Sequence, residues 1–160
     1  MSKLQKALKL ASLGFYVFPL IEKGKLPLID SWQTKATRDE AKIKAWWTCP
    51  VMGTEQPWNI GIFTGRFGDD QALIVIDVDN KGKKRGDEVL FGLEMEGREF
   101  PETLTQLTPT GGRHIIYVAE KPMKQGVDVL GDGLDIRSAG GFIVGPGSVV
   151  EKGIYKFISK

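Results

Sequence analysis

Apolar residues follow two different periods along this chain. Near the start, Leu4, Ala7, Leu8 and Ala11 recur at helical spacing, and Gly14 is placed to end the helix they predict. Phe15 to Leu20 then has strand composition, closed by a turn at Glu22-Lys23-Gly24-Lys25. Thr37-Arg38-Asp39-Glu40 has the form of a capping box ahead of a second helix, on which Ile43, Trp46 and Trp47 share a face. Asn59 to Thr64 predicts a short strand ending at Gly65. The run Ala72-Leu73-Ile74-Val75-Ile76-Asp77-Val78-Asp79 predicts a buried one over 72–78. A basic loop (81–86) and a third helix (87–96) follow. After them come strands at 103–108, 114–119, 134–137, 141–144 and 154–158, set between glycine turns. Helices early and strands late predict an α+β fold, with a mixed or antiparallel sheet flanked by helices.

Composition narrows the function classes. The chain has 160 residues, enough for one domain with a real core, and a net charge of +2 that permits nucleic acid without demanding it. One cysteine (Cys49) and one histidine (His114) exclude an internal disulfide, a Cys/His zinc cluster and a nicking site built on paired histidines. Without a long apolar stretch or a signal-peptide pattern, the expectation is a cytoplasmic protein that does not enter a membrane.

Four segments could carry chemistry. Strand alternation puts Asp77 and Asp79 on one face, where paired negative charge is costly to desolvate without a cation between them. The pair is either half of a metal site with hard oxygen ligands or a strand reaching solvent through Asp79-Asn80-Lys81-Gly82. In Thr108-Pro109-Thr110-Gly111-Gly112-Arg113-His114, a tight glycine turn could offer its amides to phosphate, with His114 donating beside them; the alternative is a hairpin turn and a surface histidine. Asp135 and Arg137 share a strand face, either as a surface ion pair or as a metal ligand beside a triphosphate-gripping fork. Gly140 to Ser148 is an ordinary strand and turn, or the floor of a nucleotide pocket with Ser148 as a polar contact. Lys25 sits in a turn that lacks phosphate-loop spacing. Trp46 and Trp47 could stack on bases, although helical spacing with Ile43 favours core for at least one. Asn59 and Gly61 are candidate cleft residues.

In this order the segments resemble the bifunctional primase–polymerase domain of the archaeo-eukaryotic primase superfamily. That domain occurs at the N-terminus of many plasmid, phage and mobile-element replication proteins. The resemblance runs through Gly14–Leu20, Gly24–Leu28, Trp46-Trp47, Asn59-Ile60-Gly61, Asp77-Val78-Asp79, Thr108–His114, Asp135-Ile136-Arg137 and Pro146-Gly147-Ser148. It implies a single catalytic domain over 1–160, drawn from a longer protein that often continues into a helical bundle and a helicase. It also implies that Asp77, Asp79 and Asp135 bind two catalytic Mg²⁺ or Mn²⁺ ions and that His114 contacts the phosphates of the incoming nucleotide. Lys25, Thr110, Gly111, Gly112, Arg113, Arg137 and Ser148 are the further nucleotide contacts expected on this basis. Two departures are visible: the first motif reads Asp-x-Asp where relatives often have Asp-x-Glu, and Ser138 stands where Gly is frequent. The implied activity is template-directed nucleotidyl transfer from nucleoside triphosphates on single-stranded DNA. A metal-dependent nuclease and a non-catalytic nucleotide- or DNA-binding module are the alternatives.

Overall fold

The computed structural model describes residues 1–158. The elements in chain order are α1 (Lys3–Leu13), β1 (Phe15–Leu20), α2 (Trp32–Lys35), α3 (Glu40–Trp46), β2 (Asn59–Phe67), β3 (Ala72–Val78) and α4 (Gly86–Met95). They continue with β4 (Thr105–Leu107), β5 (Arg113–Ala119), β6 (Gly126–Gly131), β7 (Leu134–Arg137), β8 (Phe142–Val144), β9 (Val149–Val150), β10 (Gly153–Ile154) and β11 (Lys156–Phe157). Every strand pairing is antiparallel. The sheets are ordered β1-β2-β8, β10-β9 and β11-β4-β5-β3-β7-β6. This is the expected α+β class; Ser159 and Lys160, the end of the expected 1–160 domain, lie outside the described residues.

Alternation along the strands explains how one chain builds three cores. On β1, Phe15 and Val17 face a core shared with Ala7, Leu10 and Ala11 of α1 and with Ile43 and Trp47, while Phe18 and Leu20 face the other side. Strand β2 divides likewise, with Ile60 and Ile62 on the helix side and Phe63 opposite. Strand β3 lies inside the six-stranded sheet and is covered on both faces. Leu73 and Val75 join the helix-side core, and Ile76 and Val78 pack under Leu90 of α4. An apolar run without alternation is therefore what a doubly covered strand requires. Fully burying each such side chain contributes about 1.5–3 kcal/mol.

Local signals account for the helix ends. Helix α1 starts with a capping box between Ser2 and Gln5 and stops at Gly14, whose φ of 113° few other residues adopt. Helix α3 is capped by Asp39, which accepts from the amides of Ala41 and Lys42; Thr37 instead accepts from the Asp39 amide, so the cap lies two residues later than the expected box. Trp47 is fully buried and donates to the carbonyl of Trp58, and Trp46 meets it edge to face. Strand β2 runs on to Phe67, past Gly65. The β6–β7 hairpin, α2 and the β9–β10 ribbon were not foreseen in the sequence.

Candidate active site

The site begins as one row of side chains across four neighbouring strands. Gln106 on β4 is in register with His114 on β5, His114 with Asp77 on β3, and Asp77 with Asp135 on β7. Residues in direct antiparallel register share a face. Asp77 therefore continues the face of Leu73 and Val75, rising out of the core where the sheet opens into a cavity of about 360 Å³. Asp77, His114, Arg137, Lys25, Gln125 and Tyr155 line it, with Trp32 and Phe142 as apolar wall.

Burial and charge set the state of these groups. His114 Nε2 lies 3.5 Å from Asp77 Oδ1. Arg137 lies 3.8 Å from Asp77 through Nε and 3.6 Å from Asp135 through Nη2. Burial pushes the Asp77 carboxyl up to about 6; Arg137 opposes this, and the nearby charges of Asp135 and Asp79 add to it. Burial, reinforced by Arg137 and Lys25, lowers His114 to about 4, so at neutral pH it is an uncharged imidazole despite the carboxylate beside it. Tyr155 stacks on the His114 ring at 6.1 Å, and its hydroxyl is pushed up to about 12 by burial and then by Asp77.

Asp79 lies one residue beyond the end of β3, and its Oδ1 accepts from the amide of Lys81. Its backbone is clamped: the amide donates to the carbonyl of Gly133, and its carbonyl accepts from the amide of Gly86. A Cβ on Gly133 would come within 2.7 Å of the Asp79 oxygen, and one on Gly86 within 2.6 Å of the Gly133 oxygen, so this crossing admits glycine at both places. Asp135 Oδ1 accepts from the amide of Asp128. Among the described residues, no three His, Cys, Asp or Glu side chains converge closely enough to hold a metal ion. The expected three-carboxylate cluster is folded as a pair, Asp77 and Asp135, with Asp79 turned back on its own loop. Its chemistry still suits a hard divalent cation, because the Asp77 carboxylate is destabilised first by burial and then by the charges of Asp135 and Asp79, and a cation with oxygen ligands would relieve both.

The structure separates the other expected contacts. Lys25 and Arg137 line the cavity. Thr110 faces an adjoining groove of about 290 Å³ together with Lys23, Lys25, Lys81 and Lys152. Gly111 and Gly112 do not present their amides to a ligand: both donate to Thr108, one to its carbonyl and one to its hydroxyl. Arg113 is in register with Val78, on the α4 face, and pairs with Asp87 at the start of α4. Ser148 is fully buried and binds the Ile60 amide and carbonyl, so it ties β2 to the turn between β8 and β9. Asn59 lines no cleft. Its buried amide donates to the carbonyls of Gly24 and Val149 and anchors the turn that carries Lys25. Gly61 is small because the Phe18 ring lies against it.

A family model described as the N-terminal domain of bifunctional DNA primase/polymerase matches residues 7–160. The chain belongs to this primase/polymerase family. No curated protein matches it. Among its described residues, no helix is long and apolar enough to cross a membrane.

In this primase/polymerase domain, Ser138 is the position read from the sequence as a departure from the family's pattern. Its buried hydroxyl donates to the Leu73 carbonyl and accepts from the Met123 amide, so the departure is absorbed by the framework. Sequence reasoning missed Gln106, Gln125 and Tyr155. The one signal available was Gln106 itself, which strand alternation places on the face opposite Thr105 and Leu107.

Proposed function

We propose that this domain carries out template-directed nucleotidyl transfer, adding nucleotides from nucleoside triphosphates to a 3′-hydroxyl on single-stranded DNA. The observation that carries this reading is the row His114–Asp77–Asp135 at the edge of a cavity that also holds Arg137 and Lys25. Paired carboxylates with Arg137 beside them, and Lys25 in the same cavity with no ion pair among the described residues, suit a triphosphate bound with divalent metal. Hydrolysis of a phosphodiester has no need of such a cation set.

Asp77, Asp135 and Asp79 are the residues that would hold Mg²⁺ or Mn²⁺. When bound, such ions polarise the attacking hydroxyl and neutralise charge on the phosphates. The chain's own groups do the rest. Arg137 and Lys25 offset charge on the leaving phosphates, and the neutral His114 donates from Nε2 to a phosphate oxygen. A bond forms between the 3′-oxygen and the α-phosphorus, the α–β bridge breaks, pyrophosphate leaves and the hydroxyl proton passes to solvent. The adjoining groove supplies a route for the strand: Lys23, Lys81 and Lys152 make no ion pair among the described residues, and the groove shares Lys25 and Tyr155 with the cavity.

The deciding experiment offers single-stranded templates, with and without primer, labelled ribo- and deoxynucleotides, and Mg²⁺ or Mn²⁺. Template-dependent products that disappear in an Asp77→Ala, Asp79→Ala double variant are expected. Absence of both priming and extension with either metal would sink the reading for this domain.

A further inference from the structure

Gln106 is completely buried, yet only half of its amide is satisfied. Its Nε2 lies 2.7 Å from the carbonyl oxygen of Val144 and 2.8 Å from Nδ1 of His114, while its Oε1 is buried without a partner. The orientation is forced. Turning the amide over would set two oxygens against each other at the Val144 carbonyl, which can only accept. The NH₂ group therefore faces Val144 with one proton and His114 with the other, and Nδ1 must present its lone pair. The imidazole proton is left on Nε2, the nitrogen directed toward Asp77 and the cavity. An unpartnered buried amide oxygen costs about 1–3 kcal/mol, which offsets part of what the bonds to Val144 and His114 contribute.

We propose that Gln106 is a positioning residue that fixes the tautomer and ring orientation of His114, so that its Nε2–H is held as a donor to the phosphates of the incoming nucleotide. The last clause rests on the nucleotidyl-transfer reading; the Gln106–His114 relation does not. Glutamate at the same place makes the sharpest contrast. A buried, protonated Glu can donate to Val144 through its hydroxyl and keep its second oxygen toward Nδ1, but only if the histidine proton moves to Nδ1. Nε2 would then turn a lone pair toward Asp77 and the phosphates. Methionine keeps the volume and removes the donor without reversing the polarity.

His114 is the only histidine in the chain, so its two ring nitrogens can be read without assignment in histidine-¹⁵N-labelled protein. In the wild type without nucleotide, Nε2 should carry the proton and Nδ1 should show the shift of a hydrogen-bonded acceptor. Gln106→Met should move Nδ1 toward an unbonded acceptor, and Gln106→Glu should transfer the proton to Nδ1. Affinity for dATP with Mg²⁺ should fall about tenfold in Gln106→Glu and by a smaller factor in Gln106→Met, in that order whatever their melting temperatures. A proton on Nδ1 in the wild type, an unmoved Nδ1 signal in Gln106→Met, or a folded Gln106→Glu with the wild-type tautomer and affinity overturns the proposal. If Gln106→Glu does not fold, the wild-type and methionine spectra decide. If the tautomers behave as expected but the wild type binds no nucleotide, the nucleotidyl-transfer reading fails and the tautomer assignment stands.

Discussion

Asp77 and His114 sit side by side with shifts of opposite consequence for stability. The Asp77 carboxyl is raised from 3.8 to about 6 in the fold, so the folded state binds the extra proton and stability falls as pH rises between those values. The His114 imidazole is lowered from 6.5 to about 4, so the unfolded state binds the extra proton and stability falls as pH drops from 6.5 toward 4. In the metal-free protein the two slopes largely offset. Asp77→Asn should therefore stabilise the metal-free domain at pH 7–8, by an amount on the order of 2–3 kcal/mol. It should also expose the His114 slope, with stability dropping from pH 6.5 to 4; denaturant titrations across that range check both. The same substitution should abolish any rise in melting temperature that Mg²⁺ or Mn²⁺ produces in the wild type. At this scale the sequence was legible for Asp77, His114 and Arg137. For Asp79 it was legible only as far as its nearness to Asp77, because alternation holds only while the strand lasts and β3 stops at Val78. It misled for Gly111 and Gly112, whose amides are taken by Thr108, a bond that depends on the turn's three-dimensional course.

Among the elements, short connections do the positioning. The turn carrying Lys25 hangs on the buried Asn59, which also accepts from the Val149 amide and from Lys3 Nζ. Asn59→Leu should cost about 2–4 kcal/mol in unfolding free energy, because it strands two carbonyls, and should raise the nucleotide KM more than it lowers kcat. Gly133, at a φ of 82° with no room for a Cβ, should tolerate alanine poorly; Gly133→Ala should lose at least about 1–3 kcal/mol and displace Asp79. Strands β3, β5 and β7 were readable because burial on at least one face imposes a pattern. Strand β6 was not: it is an edge strand with Val127 and Val129 exposed and Asp128 at a φ of 52°, so nothing buried registers its alternation. The basic loop 81–86 is only partly free, since Lys84 pairs with Asp128 and Asp132 on the β6–β7 hairpin.

Over the whole molecule, the cavity draws Lys25, Asp77, His114, Arg137 and Tyr155 from almost the full span of the chain. The fold class and most of the central row were legible because a strand pattern needs only its own residues. The wall formed by Trp32, Gln125 and Tyr155 was not, because it depends on how distant loops meet. Binding to single-stranded DNA should be strongly salt dependent if the lysine groove carries the backbone. Each of Lys23→Ala, Lys81→Ala and Lys152→Ala should then lower the slope of log affinity against log salt by about 0.7, with little change in melting temperature. Unchanged slopes in all three would remove the groove from the strand's path.

The cavity lies between two sheets that share no ladder, the β1-β2-β8 sheet and the six-stranded one, joined instead by the side chains of their common core. The width of the mouth is thus set by packing, a quantity that one methyl group can alter. Val75 stands in that core, two residues before Asp77 on the same strand face. Trimming it to alanine would leave a void that the two walls close only in part, at a cost on the order of 2 kcal/mol. Beyond that loss of stability, such a change would register as a shift in the size of ligand the cavity admits, with the backbone architecture intact.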